Sequence, residues 1–434
     1  MTASTSDPDS GSRDRPMLTT QQAARRLGIK PETLYAYVSR GLIGRERAAD
    51  GKGSLFSAAD VDMLADRGTR GQAGAPASGA SIRTALTLID PGRDRLYYRG
   101  RDAVACADSA GFEAVAQWLW DGQRAPGANP DPRFEGHPSA VAAASAAAAA
   151  LPAAARITDR FRVAVTAAAV TDPLRFDIRP AAVTAAAGSL ITAMVMAADR
   201  ACGGKDRPGA RTAELLWPRL TRVPGTPERL RALDAALVLL ADHDMAASTY
   251  AARIAASIRA HPYAVVAAGL SALDGPMHGG AGALAHRLIS DARGIGDPVG
   301  VVAERLRDGS SVPGFGHLIY QRRDPRAEAL LRLIEPLPDP GGVHAAVDGL
   351  LAVARERLGS FPNVDFALAV LAQVSGMTAD AQEAIFAVAR SAGWIAHALE
   401  EYQAPAARFR PQGLYVGTGP ERDRSRPGVG NPRC

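Results

Sequence analysis

From Gly111 to Leu399 this 434-residue chain keeps returning to one pattern, apolar residues spaced three and four apart, and that pattern constrains the fold more than any other feature. Phe112, Val115, Ala116, Leu119 and Trp120 fall on one helical face. Residues 230–241, 248–260, 299–307, 327–334, 343–358 and 379–399 also read as helices. Proline and glycine punctuate them at Pro224-Gly225, Gly275-Pro276, Pro313-Gly314, 336–342 and Pro362. A strand pattern shows only at 82–98, where β-branched and aromatic residues flank Asp90-Pro91-Gly92 as in a short hairpin. The body is therefore expected to be all-α.

Length and composition narrow the class. A chain of 434 residues, 47% of them hydrophobic, suffices for two or three domains with real cores. The longest apolar run, 141–155, is nearly all alanine and broken by Pro152, too short and too weakly hydrophobic to span a bilayer. Residues 1–16 are rich in Asp, Ser and Arg, which predicts a disordered leader and no secretory signal. Cys106, Cys202 and Cys434 show no metal-ligand or CxxC spacing, so no metal is expected and reduced thiols in a cytoplasm are the plain inference. The net charge of +5 rests on arginine, with Lys30, Lys52 and Lys205 the only lysines. That balance fits GC-rich coding and does not by itself point to nucleic acid. Residues 68–81 form a Gly/Ala/Ser-rich linker, and the polar tail 421–434 is expected to be loose.

Residues 17–67 make a unit of their own. Thr19 or Thr20 caps a first helix that ends at Leu27-Gly28, and Pro31 opens a second carrying Thr33, Tyr35, Tyr37 and Arg40. Helix, glycine turn and helix is the helix-turn-helix spacing. Residues 51–56 suit a small wing. The unit resembles the winged helix-turn-helix of MerR-type and excisionase-like proteins. Arg25, Arg26, Lys30, Arg40 and Lys52 are candidate phosphate contacts. With eight Lys/Arg against six Asp/Glu its net charge is only +2, so DNA contact and a docking or dimerising role both stay open.

Four segments of the body carry residues suited to chemistry. His243 lies between Asp242 and Asp244; His278 stands beside Gly279-Gly280; His317 follows Gly314 and Gly316; Asp365 follows Phe361-Pro362-Asn363. Arg326 comes after the Asp324-Pro325 break, placed for the first turn of a new helix. A single His or Asp at a helix start is usually a cap, and His137, His261, His286, His344 and His397 are left in that class. His278 and His317 differ because glycine-flanked loops let backbone and ligand meet. No HxxxH or HExxH spacing supports a metal.

In order and spacing, these segments, with 82–102, Arg390-Ser-Ala-Gly-Trp-Ile-Ala-His397, Arg410-Pro411 and Tyr415, resemble citrate synthase, the family that condenses acetyl-CoA with oxaloacetate. The resemblance implies roles residue by residue. Asp365 is implied as the base that takes a proton from the acetyl methyl group, His278 as donor to the enolate oxygen, and His317 as donor to the oxaloacetate carbonyl. His243, Arg326, Arg390 and Arg410 are implied to hold the dicarboxylate. Arg410 reaches the neighbouring subunit's site in the family, which implies a homodimer. Three positions depart from the pattern. Ala246 and Gly282 stand where the family often has Asn, and Leu318 where it often has Arg.

The expected fold is thus a citrate-synthase-like two-domain helical body, 82–420, with a large domain at 82–279 and 377–420 and a small one at about 280–376. The active-site cleft would lie between them. The resemblance implies a cytoplasmic acyltransferase at the entry of the tricarboxylic acid cycle, with acetyl-CoA as co-substrate and no cofactor, metal or membrane. Two alternatives remain: a 2-methylcitrate synthase using propionyl-CoA, and a DNA-binding regulator that uses the body as a metabolite sensor.

Overall fold

The computed structural model describes residues 17–27, 29, 34, 38, 43–47, 53–58, 61 and 82–409, with 124–125, 128–131, 276–277 and 340 excepted. The leader 1–16, the linker 68–81 and the tail 421–434 lie outside the described residues, as do Lys30, Arg40, Lys52 and Arg410. The chain divides into two compact units, Met1–Arg83 and Thr84–Cys434.

In the first unit, β1 (Met17–Thr19) leads into α1 (Thr20–Leu27), followed by β2 (Glu46–Arg47) and β3 (Ser54–Ser57). Thr19 settles the capping question. Its backbone N–H donates to Gln22 Oε1 at 2.9 Å, and Gln22 N–H donates back to Thr19 Oγ1 at 3.4 Å. This is a reciprocal capping box. The three strands form an antiparallel sheet in the order β1-β3-β2, with Met17 opposite Ser57 and Glu46 opposite Leu55. The β2–β3 pair is the expected wing. Ala23, Leu34, Ile43, Phe56 and Val61 close a small core, and Leu34 and Val38 are helical as the second-helix reading requires. Arg25 and Arg26 stand exposed in the last turn of α1.

The second unit begins with the expected hairpin. β4 (Thr87–Asp90) pairs antiparallel with β5 (Arg95–Tyr98), which pairs with β6 (Arg101–Asp102). Helices follow: α2 (Ala103–Ser109), α3 (Phe112–Asp121), α4 (Pro138–Ala149), α5 (Ile157–Val170), α6 (Pro180–Met196), α7 (Thr212–Leu220), α8 (Pro227–Leu240), α9 (Ala247–Ser257) and α10 (Pro262–Leu273). After them come α11 (Ala281–Ile295), α12 (Pro298–Arg307), α13 (Pro325–Ile334), α14 (Val343–Val353), α15 (Val364–Val374) and α16 (Ala381–Gln403). Six of these helices start on a proline: α4, α6, α8, α10, α12 and α13. There the missing N–H costs nothing and φ is already helical.

Helix α16, 23 residues long, organises the unit. It is buried on nearly every side and packs against α3, α6, α8, α9 and α10. Its buried residues include not only Ile385, Val388, Trp394 and Ile395 but also Arg390, His397 and Glu401, so it carries charge into the core. Glycines let it in: a Cβ on Gly269 would stand 2.5 Å from the Trp394 indole, and one on Gly393 would strike Asp242. Helices α11, α12, α14 and α15 pack chiefly on one another, with α13 against α15. The helix expected over 343–358 keeps α geometry only to Val353 and ends in a π turn, Ala354–Leu358.

Candidate active site

The loop between α12 and α13 is shaped by its glycines. Gly314 and Gly316 take φ of +85° and +76°, values that only glycine adopts without strain. The loop is zipped to the segment before α15: Gly316 N–H donates to Phe361 O at 2.8 Å, Asn363 N–H to Gly314 O at 2.9 Å, and Asn363 Nδ2 to Gly316 O at 3.0 Å. Asn363 also caps α15, accepting from the backbone of Asp365 and Phe366. Asp365 is therefore relieved of capping, and its carboxylate is left for other work.

His317 folds back on its own loop. Its Nδ1 accepts the backbone N–H groups of Ile319 at 3.0 Å and Tyr320 at 3.3 Å. That places the proton of the neutral ring on Nε2, which becomes a donor. Burial, helped by the Arg326 cation, pushes the ring down to about 4, so it is neutral at pH 7. His243 sits 5.4 Å from His317 between ring centroids, and its Nε2 bonds Tyr320 Oη at 3.1 Å. Burial, then Arg326 and Arg390, hold His243 well below its ordinary range. His278 bonds Ser248 Oγ through Nε2 at 2.8 Å, which leaves Nδ1 for a ligand. Burial and Arg390 lower it to about 4 as well.

Two guanidinium groups serve these rings. Asp324 caps α13 through the Arg326 N–H and also takes the Arg326 fork, at 3.0 Å from Nε and 2.8 Å from Nη2. Arg326 is thus a held cation, fixed over the Tyr320 ring at 5.5 Å, with its fork already engaged. Arg390 is the freer group. Its Nε donates to Leu240 O at 2.9 Å, while Nη1 and Nη2 are buried with no hydrogen-bond partner in the protein. It lies 4.6 Å over Phe386, the ring that also packs on His278. Burial lowers even this guanidinium to about 10. A buried cation with two unpaired donors is a strong seat for an anion.

Asp365 is pushed up to about 6, chiefly by burial, with Arg326 pulling down and Asp324 pushing up. A carboxyl near neutrality is suited to taking a proton. The Arg326 field reaches Asp365, His317 and His243, and that of Arg390 reaches His243 and His278. The structure thus gathers His243, His317, Arg326 and Arg390, with His278 joined through Phe386 and Asp365 through the zipped loops. Arg410 lies outside the described residues.

The family model described as citrate synthase, C-terminal domain, matches residues 77–412, and one described as a helix-turn-helix domain matches residues 17–69. The chain belongs to the citrate synthase family. It is 38% identical over 188 residues to the citrate synthase of Haloferax volcanii, covering 42% of this chain and 49% of that protein. It is 34% identical over 223 residues to that of Acidithiobacillus ferridurans, covering 50% and 56%. The chain thus spans about half the length of the curated relatives it matches. Citrate synthase from Thermotoga maritima superposes with a TM-score of 0.64 at 26% identity, covering 80% of this chain and 96% of that one. A Thermoplasma acidophilum citrate synthase, solved as a ternary complex with carboxymethyl coenzyme A and oxaloacetate, shares the fold at 22% identity and a TM-score of 0.64, covering 82% and 97%.

The departures from the family pattern have local consequences. Ala246 is the N-cap of α9 and offers no side-chain oxygen to the first turn. Gly282 does not leave a gap: Gln382 fills the space, its Oε1 2.7 Å from where a Cβ would stand. Leu318 is fully exposed beside His317. Ser248, Tyr320 and Phe386, which hold the histidines, carried no signal of their own in the sequence. His397 is no helix cap. It is fully buried, with Nε2 on Asp242 Oδ2 at 3.2 Å and Nδ1 facing Arg253 Nη1 at 2.5 Å.

Proposed function

We propose that this chain is an acyltransferase that condenses acetyl-CoA with oxaloacetate to give citrate and CoA. The observation that carries the reading is Arg390, buried with both terminal nitrogens unpaired beside neutral histidines. Such a site calls for a carboxylate and for uncharged hydrogen-bond donors around it.

The chemistry follows from the protonation states. Asp365, near 6, removes a proton from the acetyl methyl group. Neutral His278 donates from Nδ1 to the thioester oxygen, which carries the charge of the enolate. Neutral His317 donates from Nε2 to the oxaloacetate ketone as the carbon–carbon bond forms. Arg390 and His243 hold the dicarboxylate, with Arg326 supplying field and Arg410 completing the site from the partner of a homodimer. Water then cleaves the thioester. We assign the cleft to the boundary between a large domain, 82–279 with 377–420, and a small one, 280–376. Closure there would exclude water until condensation is done.

In this reading the acyl-CoA is a co-substrate, no cofactor is called upon, and the enzyme acts in the cytoplasm at the entry of the tricarboxylic acid cycle. Among the described residues no helix is long and apolar enough to cross a membrane. A second role, DNA contact by the N-terminal module, is favoured by the exposed Arg25 and Arg26 on α1 beside the β2–β3 wing. The test is product identification by mass spectrometry from purified protein with oxaloacetate and either acetyl-CoA or propionyl-CoA. Citrate as the faster product supports the reading; 2-methylcitrate as the faster one reassigns the acyl group; neither product overturns it. A mobility shift that persists at physiological salt would support the DNA role, and failure to retain any fragment would leave the module to docking.

A further inference from the structure

The turn between β4 and β5 holds an acid with no place in the chemistry so far. Asp94 is 1% exposed, and its φ is +50°. That is the left-handed region, which Asp enters more readily than most residues but still at a cost. The side chain shows what the conformation serves. Asp94 Oδ1 accepts the backbone N–H of Gln321 at 2.8 Å, and Oδ2 accepts Arg322 Nε at 2.8 Å. Arg322 Nη2 reaches on to Gly92 O at 2.5 Å. Three hydrogen bonds therefore pin residues 321–322 of the active-site loop to the hairpin. Burial works to raise the Asp94 carboxyl, but the two backbone amides and the Arg322 guanidinium outweigh it and hold it below its ordinary value.

The residue next to the pin is Tyr320, 2% exposed and at the centre of the candidate site. Its hydroxyl bonds His243 Nε2, its ring lies 4.7 Å from His317, and Arg326 stands over its face. Burial pushes the phenol up to about 12, so it keeps its proton. One side chain thus sets the spacing of three groups assigned to the keto-acid half of the reaction. Asp94 itself touches none of them.

We propose that Asp94 is a positioning residue for the condensation: through Gln321 and Arg322 it fixes Tyr320, and through Tyr320 it fixes His243 and His317 relative to Arg326. This rests on the reading of the site as one for oxaloacetate. A mere staple between hairpin and loop would have a different signature. Losing a staple lowers the melting temperature and leaves substrate binding alone, whereas losing a positioning residue acts on the keto acid and spares the thioester.

The test uses the full-length protein with Asp94→Ala, Asp94→Asn, Arg322→Ala and Tyr320→Phe, read by thiol-release kinetics and by hydrogen–deuterium exchange over residues 315–326. Asp94→Ala is expected to raise KM for oxaloacetate about tenfold, the scale of one lost charge-assisted hydrogen bond, with KM for acetyl-CoA unchanged. Asp94→Asn keeps an acceptor for Gln321 and is expected to fall between Ala and wild type. Arg322→Ala should do least. Tyr320→Phe should raise the same KM, and the Asp94→Ala/Tyr320→Phe double variant should fall short of additivity because both act through one contact. The Gln321 amide should exchange faster in Asp94→Ala. Unchanged kinetics with faster exchange would overturn the positioning role and leave a staple; unchanged exchange would overturn the clamp itself. An inactive wild type would overturn the proposed reaction and the catalytic role with it, while the exchange result would still decide whether the clamp exists.

Discussion

At the residue scale the account turns on protonation. Asp365, raised to about 6, must be ionised to act as base. The rate of thiol release is therefore expected to fall as pH drops through about 6, and a profile flat from pH 7.5 to 5 would contradict the assignment. His278 and His317, lowered to about 4, bring no break of their own in that range. They do affect stability. The unfolded chain takes up protons on these rings near 6.5 and the folded one only near 4. Their contribution is thus full above about 6.5 and lost as pH falls through about 4. Arg390→Gln removes the unpaired donors, and KM for oxaloacetate is expected to rise about tenfold to a hundredfold, the worth of a charge-assisted pair. The local placement of His317, Arg326 and Asp365, on a glycine turn and at two helix starts, was legible because glycine, proline and the Asp-Pro break mark such backbone in the sequence itself. Ser248, Tyr320 and His397 were not. Their partners stand 30, 77 and 155 residues away, and no local pattern encodes such contacts.

At the scale of elements, helix periodicity marked seven of the body's helices, α3, α8, α9, α12, α13, α14 and α16, three of which start on a proline. It did not show the π turn after Val353, which breaks no periodicity that a sequence displays. Nor did it show how two helix starts share one space. Gly282 opens the first turn of α11 and Gln382 that of α16, with the carboxamide lying where a Gly282 side chain would go. Gly282→Ala is expected to destabilise the protein by about 1–3 kcal/mol in chemical denaturation, the usual cost of overpacking. In a Gln382→Ala background the same change should cost clearly less. Equal costs in both backgrounds would mean that the two side chains do not compete.

At the scale of the whole molecule, the division at residue 83 separates a helix-turn-helix module from the family body. The proposed chemistry draws only on residues of the second unit, so removal of residues 1–83 is expected to leave thiol release within about twofold, the scatter that surface changes usually give. Loss of activity on that truncation would show that the module takes part in the site. The body's own coherence rests on buried charge. Arg253 is 1% exposed and spans Glu400, Glu401 and His397, and His397 passes the linkage to Asp242, the neighbour of His243. The central claim, that these residues form an acid–base site for carbon–carbon bond formation, meets its most direct test in one comparison. Oxaloacetate-dependent release of CoA thiol from acetyl-CoA is measured for the wild type and for Asp365→Asn. The account predicts clear release by the wild type and a loss of about 10²- to 10⁴-fold in the variant, the range for a general base. Equal rates in the two proteins would contradict it.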